Sequence, residues 1–343
     1  MTNISAFVLI NGKEGHRLEG MWRDITWSGD TKEAARTVSI GLYNTTDGRT
    51  KNLEIPLGSL LRLYSDKTEI FRGFIFKSDM KENGEQTLTA YDSNIYLTKS
   101  SDSLIFRKMT ATQIIKQLCS TFGIPMGNVV DTKTVLPKLI LRGKTLYEVI
   151  VIALTETQKV SGNKYLLGNE QGKLTLKQVN KVVAKHRVNS KLNITSASFS
   201  ESIEDRKTQV KLTGGSEDEI KATTTLKNTT SIAKYGVMQH YENQNDVESK
   251  AKLSTLAKSL LSQLDVTKQE YSVEVIGNID FKSGERVLVE EPMTNIVGLF
   301  YITADSHKFG ADGTHTTSLT IQRNLELASE EYQDPTSETE ATT

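Results

Sequence analysis

Three short stretches of this 343-residue chain hold residue types that could do chemistry, and the spacing of each argues against it. Asp305-Ser306-His307 contains the side chains of a hydrolytic triad. Adjacent side chains on a strand point to opposite faces, so three consecutive positions cannot converge on one reacting atom. His307 and His315 could face each other across a hairpin as two metal ligands. Spacing marks no third ligand, and packing or hydrogen bonding is the favoured reading for both. Gly168–Lys173, GNEQGK, has three residues between its glycines where a phosphate-binding loop has four, and Leu174 stands where Ser or Thr should follow. It reads as a hairpin turn. Cys119 is the one cysteine, which excludes an intrachain disulfide and every multi-cysteine metal motif. No histidine lies near it in sequence to lower its pKa, and beside an apolar helix face it reads as a small buried hydrophobe. The 42 acidic residues offer carboxylate pairs for glycoside cleavage, but their separation in space is not encoded in spacing. The chain holds no H-E-x-x-H, no G-x-S-x-G, no Walker loop and no G-x-G-x-x-G after a strand. No catalytic, cofactor-binding or metal-ligating residue is assigned, and no cofactor is expected.

The elements around these stretches are mostly strands. Glu69–Leu97 reads as an apolar run at Ile70–Phe76, a polar tip at Asn83-Gly84 and a return through Leu88-Thr89-Ala90-Tyr91. Residues 298–327 repeat it: Phe300 and Gly313 lie thirteen apart, as do Phe71 and Gly84, and Leu319-Thr320-Ile321 leads to Asn324 as Leu88-Thr89-Ala90 leads to Asn94. Upstream, Gly58-Ser59-Leu60-Leu61-Arg62-Leu63 is echoed by Gly284-Glu285-Arg286-Val287-Leu288-Val289, each a glycine turn opening an apolar strand. Two related β-modules, one at each end, follow from this echo. Ala6–Ile10, Ile25–Trp27, Thr37–Leu42 and Leu53–Ile55 supply further strands to the first, with Trp22 and Trp27 as core or rim packing.

Beyond Leu97 the period changes to that of helices. Thr110 with Gln113 and Thr145 with Glu148 are capping boxes, the first opening a face of Ile114, Ile115, Leu118 and Phe122, the second a helix ending near Gly162. Tyr165–Leu167 and Lys173–Leu176 pair across a five-residue turn. From Val188 the period of two returns through Ile194–Phe199, Thr208–Leu212 and Ile220–Leu226, with Gly214-Gly215 as a turn. A third helix, Asp246–Leu264, buries Leu253, Leu256, Leu260 and Leu264. The fold class is α+β, mainly β: two related antiparallel β-barrel domains, a small α/β domain and a helical insertion. The boundaries are 1–97 for the first barrel, 98–180 for the α/β domain, 181–327 for the second barrel with its insertion at about 240–265, and 328–343 for a disordered acidic tail.

Composition is that of a globular chain, 37% hydrophobic and 24% charged. Its 42 basic and 42 acidic residues cancel, so net charge draws it to neither nucleic acid nor an anionic membrane. No apolar run approaches a membrane span or a signal sequence, and a cytoplasmic site of synthesis is expected.

The order of four motif groups resembles the baseplate hub family of contractile phage tails, defective prophages and phage-tail-like bacteriocins. These are Ile25-Thr26-Trp27-Ser28-Gly29-Asp30 followed by Arg36-Thr37-Val38; Phe71-Arg72-Gly73 running to Ala90-Tyr91-Asp92, Tyr96-Leu97 and the Thr110–Ile115 helix start; Gly143-Lys144-Thr145-Leu146 leading to Gly162–Tyr165; and Gly284–Val287 followed by Gly298–Ile302, His307, Phe309 and Thr317–Thr320. The resemblance covers roughly residues 5–325. It implies a homotrimer whose two tube-like barrels per subunit imitate six-fold symmetry, joining a hexameric tail tube above to a trimeric spike below. It also implies baseplate wedge proteins and a tape measure protein as neighbours, DNA only as passage through a lumen, no membrane, and assembly in the host cytoplasm into a virion or tail-like particle. Some relatives fuse a cell-wall hydrolase to the carboxyl end; here only a tail follows the second barrel, so no enzyme activity is expected. The competing readings are a peptidoglycan hydrolase and a different, hexameric tail component.

Overall fold

The computed structural model describes residues 4–10, 12, 14–45, 47–48, 52–179, 183–215, 220–245, 247 and 249–332. The chain forms two compact units: one of residues 1–198 with 271–334, the other centred on 199–270.

In the first unit, the amino-terminal module contains β1 (Ile4–Ile10), β2 (Glu14–Arg17), β3 (Trp22–Asp30), β4 (Thr37–Tyr43), β5 (Leu60–Ser65), β6 (Thr68–Met80) and β7 (Glu85–Asp92). Their side chains alternate inward and outward, and Val8, Ile25, Trp27, Val38, Ile40, Leu61, Leu63 and Leu88 are buried between the strands. Leu53–Ile55 is extended but not a strand. The Asn44 side-chain amide stands in for a neighbouring strand there, donating to Leu53 O at 2.7 Å and accepting from Leu53 N at 2.9 Å.

The α/β domain follows as α1 (Ile95–Lys99), β8 (Ser101–Thr110), α2 (Ala111–Thr121), β9 (Met126–Val129), β10 (Val135–Thr145), α3 (Leu146–Ser161), β11 (Tyr165–Glu170) and β12 (Lys173–Gln178). Both capping boxes form, with side chain and backbone bonding reciprocally at Thr110/Gln113 and Thr145/Glu148. Gly162, at φ +69°, ends α3 in the left-handed conformation that glycine favours. Residues 168–173 are a hairpin, with a loop of only Gln171 and Gly172 between the paired Glu170 and Lys173. Cys119 lies in this core, and burial pushes its thiol up to about 11. Of the tail expected to be disordered from 328, the described residues 328–332 are held against the chain. Tyr332 packs against this core and accepts a hydrogen bond from Ile140 N at 3.0 Å, and Lys144 Nζ donates to Glu330 at 2.5 Å. An aromatic and an acid within the polar run are enough to hold it down; residues 333–343 lie outside the described residues.

The carboxyl-terminal module uses β13 (His186–Asn189), β14 (Ile194–Ser202), and, after the second unit, β18 (Lys268–Ile276), β19 (Arg286–Glu291), β20 (Ile296–Gly310) and β21 (His315–Gln322). One sheet runs β14-β18-β21-β20-β3-β4-β7-β6-β5-β1-β2, with β19 also on β20 and β13 on β19. The first module's order β3-β4-β7-β6-β5 therefore recurs as β14-β18-β21-β20-β19, with strands following one another along the chain in the same sequence. The hydrogen bonds set the alignment. Gly58 N bonds Ile75 O and Ile75 N bonds Ser59 O; Gly284 N bonds Ile302 O and Ile302 N bonds Glu285 O. Each long strand then bulges, between Ile75 and Lys77 and between Ile302 and Ala304.

This alignment corrects the sequence spacing by two residues. Leu61 pairs Gly73 and Leu63 pairs Phe71, while Val287 pairs Phe300 and Val289 pairs Gly298, so phenylalanine and glycine have exchanged places. Phe71 leans over Gly73, where an added Cβ would lie 2.6 Å from its ring. The thirteen-residue spacings coincide only because the second hairpin is longer. Lys77 and Thr89 pair across the first, twelve positions apart, and Ala304 and Thr320 across the second, sixteen apart.

The second unit holds β15 (Gln209–Gly215), β16 (Ile220–Lys227), α4 (Thr229–Tyr235), β17 (Gln239–Gln244) and α5 (Lys250–Leu264). The two strands read as part of the second barrel lie here, in a sheet ordered β16-β15-β17. Gly214 and Gly215 belong to β15 rather than to a turn, and a Cβ on Gly214 would meet Val247 O at 1.8 Å. The insertion is thus larger than residues 240–265. On α5, Leu253 and Ala257 are fully buried against Val210 and Leu212, while Leu256, Leu260 and Leu264 are partly buried.

Leu118 is 2% exposed, so Leu118→Asp buries an unpaired charge and should cost several kcal/mol, unfolding the α/β domain by circular dichroism. In the second unit Leu253→Asp should lower the urea midpoint more than Leu260→Asp does, because only the former is fully enclosed.

Candidate functional site: the seam between the β-modules

Strand β20 serves both modules. Its first part pairs β19 and its second, Ala304–Gly310, pairs Asp30–Asp24 of β3. Above this ladder lies a buried cluster built from β3, β4, β20, β21 and the turn before β19.

Asp305 is its centre. Its carboxylate receives both terminal nitrogens of Arg36, one at 3.0 Å, and the Ser283 amide at 2.6 Å, and lies 3.3 Å from His307 Nε2. Burial alone would raise this carboxyl, but the Arg36 charge and the bonds from His307 and Arg36 outweigh it and hold the group well below the usual carboxylate range. The Arg36 guanidinium sits 4.3 Å from the Trp27 ring centre, a cation on an aromatic face. Gly29 makes room for it, since a Cβ there would lie 2.2 Å from an Arg36 nitrogen. On the same indole, His307 packs at 4.9 Å and Lys282 Nζ at 5.3 Å. Lys282 is pushed below its ordinary value by burial and then by the Arg36 charge. Asp92 accepts the amides of Arg36 and Asn94 at 2.8 and 2.9 Å, and burial raises its carboxyl to about 6.

The two histidines meet here. His307 Nε2 faces Phe281 O at 3.0 Å, and a carbonyl only accepts, so Nε2 carries a proton. Nδ1 lies 3.1 Å from Thr317 Oγ1 and 3.2 Å from His315 Nε2. Burial, then the neighbouring His307, push His315 down to about 4. Asp305 and His307 share the buried face while Ser306 points to the other, the alternation that argues against a triad. Among the described residues no group of three or more His, Cys, Asp or Glu is placed to hold a metal. A cleft of about 1000 Å³ beyond the seam is lined by Ser28, Gly29, Ser306, Ser318 and Thr320 with Asp30, Glu33, Lys77 and Lys99, and no histidine or cysteine. The strong bonds of the cluster run between parts of the chain and hold strands together, while Trp27 Nε1, Arg36 Nε and His315 Nδ1 are buried without a hydrogen-bond partner among the described residues.

This mainly antiparallel fold, with an α/β domain between its two β-modules, is shared with solved phage tail proteins. The solved 43 kDa tail protein of prophage MuSo2 from Shewanella oneidensis superposes with a TM-score of 0.69 at 13% identity, covering 93% of this chain and 98% of that one. A type VI secretion component of E. coli, described as structurally similar to the T4 tail proteins gp27 and gp5, superposes with 0.52 at 8% identity, covering 92% of this chain and 76% of that one. The chain belongs to the YqbQ-like family, whose sequence profile matches residues 25–322. The uncharacterized protein YqbQ of Bacillus subtilis is 30% identical over 93% of this chain and 96% of its own length. The PBSX phage-like element protein XkdQ, also from B. subtilis, is 28% identical over the same shares.

Asp305→Asn leaves the Arg36 cation buried without its counter-charge and should cost about 3–5 kcal/mol. Replacing both partners, Arg36→Met with Asp305→Leu, should cost less than that single change, as read from chemical unfolding. The pH dependence follows from two opposed groups. Unfolded, His315 takes up a proton near 6.5, folded only near 4, so its contribution to stability falls as pH falls through that window. Unfolded, Asp92 loses its proton near 3.8, folded only near 6, so its contribution falls as pH rises. The two offset each other between pH 4 and 6, and the melting temperature should be nearly flat there. In His315→Gln it should decline from pH 4 to pH 6.

Proposed function

We propose that the chain is a structural hub of a phage-tail or tail-like particle baseplate, a homotrimer joining a six-fold tail tube to a three-fold spike. The observation that carries this is the recurrence of five strands in one order at both ends of one polypeptide. Three chains with two equivalent modules present six, while the α/β domain and the second unit occur once per chain and present three. An adaptor between the two symmetries needs both properties. The likeness to tail proteins and the PBSX relative support the setting. In this reading the tail tube protein docks on the six-module ring, the central spike protein below it, and wedge and tape measure proteins around it. The chain bears load rather than turning over substrate.

Sedimentation of the purified full chain checks this. Three subunits are expected at high protein concentration, whereas a hexamer would assign the chain to the tube or distal tail. Release of fragments from purified cell wall would favour a hydrolase.

A further inference from the structure

The internal seam has a counterpart with one side missing. Past Ile75, the point equivalent to Ile302, strand β20 pairs β3, whereas β6 from Phe76 to Met80 has no strand partner on that side among the described residues. The equivalent of β3 is β14, and β14 ends the sheet, with no strand paired on its outer side among the described residues. Neither segment contains the proline that blunts edge strands against pairing.

Both edges present their hydrogen-bonding groups with the parity the internal seam uses. Lys81 N bonds Glu85 O, so Lys77 and Asp79 bond inward to β7 and the amides of Ser78 and Met80 point to the open side. In β20, Gly310 N bonds Thr314 O, and Asp305 and His307 point to β3 in the same way. Ile276 N bonds Asn193 O, so Ser196 and Ser198 point outward from β14, as Ile25 and Trp27 point outward from β3.

We propose that Phe76–Met80 of one chain pairs antiparallel with β14 of a second copy of this chain, reproducing the β20–β3 ladder between subunits. The internal register carries over: His307 faces Trp27 within the chain. Counting on from Ile75, Met80 takes the place of His307. Val38 pairs Trp27 and aligns with Tyr271, which faces Ser198, so Ser198 takes the place of Trp27. Met80 of one subunit therefore lies opposite Ser198 of the next. The two edges are different surfaces, so the contact is head to tail and propagates until it closes; with two modules per chain, closure at three gives six.

This inference rests on the hub reading, and the test separates them. Met80→Cys with Ser198→Cys, treated with a short bismaleimide, should give covalent dimers and trimers and stop there. Either single cysteine should give no ladder, and buried Cys119 is the internal control. Ser78→Pro removes an outward amide without breaking a β7 backbone bond, but it also removes the Oγ that accepts from Gln86 Nε2 at 2.9 Å. Measured against Ser78→Ala, which loses the same side-chain bond, it should keep the melting temperature while shifting the trimer to monomer at least tenfold in concentration. A trimer without the 80–198 link, or one untouched by Ser78→Pro, overturns the joint and leaves the hub standing. A closed hexamer overturns the hub. A chain monomeric at the highest soluble concentration overturns the joint as a self-sufficient contact.

Discussion

The buried ion pair between Arg36 and Asp305 is the constraint on which the rest of the first unit depends. It ties the start of β4 to the middle of β20, and so ties one module to the other across more than two hundred residues of chain. Two charges taken from water are costly, and their attraction offsets that cost only when their remaining donors and acceptors are matched. Here the Ser283 amide and His307 match the carboxylate and the Trp27 face covers the guanidinium, leaving only Arg36 Nε of the pair unmatched among the described residues, and Gly29 leaves the space in which it happens. The arrangement specifies register more than it adds stability. A one-residue slip of β20 on β3 would turn Asp305 away from Arg36 and bury Ser306 in its place.

Local signals were legible in the sequence and distant ones were not. The capping boxes at Thr110 and Thr145 sit within four residues of their partners, and the structure forms both. The ribbon of β8 and β10 escaped notice because its pairing joins Ser101–Thr110 to Val135–Thr145 across an intervening helix, which no short-range period reveals. The helix α4, capped by Asn228, is too short to show an apolar stripe. Leu53–Ile55 mimicked a strand because Asn44 solvates its backbone as a strand would. The cluster was half visible. Trp27, Arg36 and His307 stood in the motifs that carried the family resemblance, but their meeting depends on β3 lying against β20, a pairing that spacing cannot encode.

The placement of the second unit follows from the duplication. In the first module a short turn joins β3 to β4; in the second, the equivalent strands β14 and β18 are separated by residues 203–267. A hairpin end tolerates such an insertion because the loop-closure cost grows only with the logarithm of length, and because the inserted chain folds on its own core. Arg206 and Asp265 pair near its two ends at 2.6 Å, with Ser231 and Asn228 also bonded to that carboxylate, and so bring the ends together. The two modules thus keep one topology while differing in what hangs from it, the condition for presenting repeated and unrepeated surfaces from a single chain.

The difference between the closed seam and the open edge is itself informative. Where β20 places Asp305 and His307, the equivalent positions of β6 are Ser78 and Met80, and where β3 places Trp27, β14 has Ser198. A buried charge pair is tolerable between segments of one chain, because neither partner is ever far from the other and the unpaired state is rare. Between separate chains the same pair would leave a desolvated charge on every unassembled subunit, a penalty of several kcal/mol carried until assembly. Small hydroxyls and a thioether carry no such penalty: each is at ease in water and compatible with a ladder of backbone bonds. The loss of the ionic cluster at the open edges is therefore what a subunit requires if it must remain soluble alone and still add its strands to another.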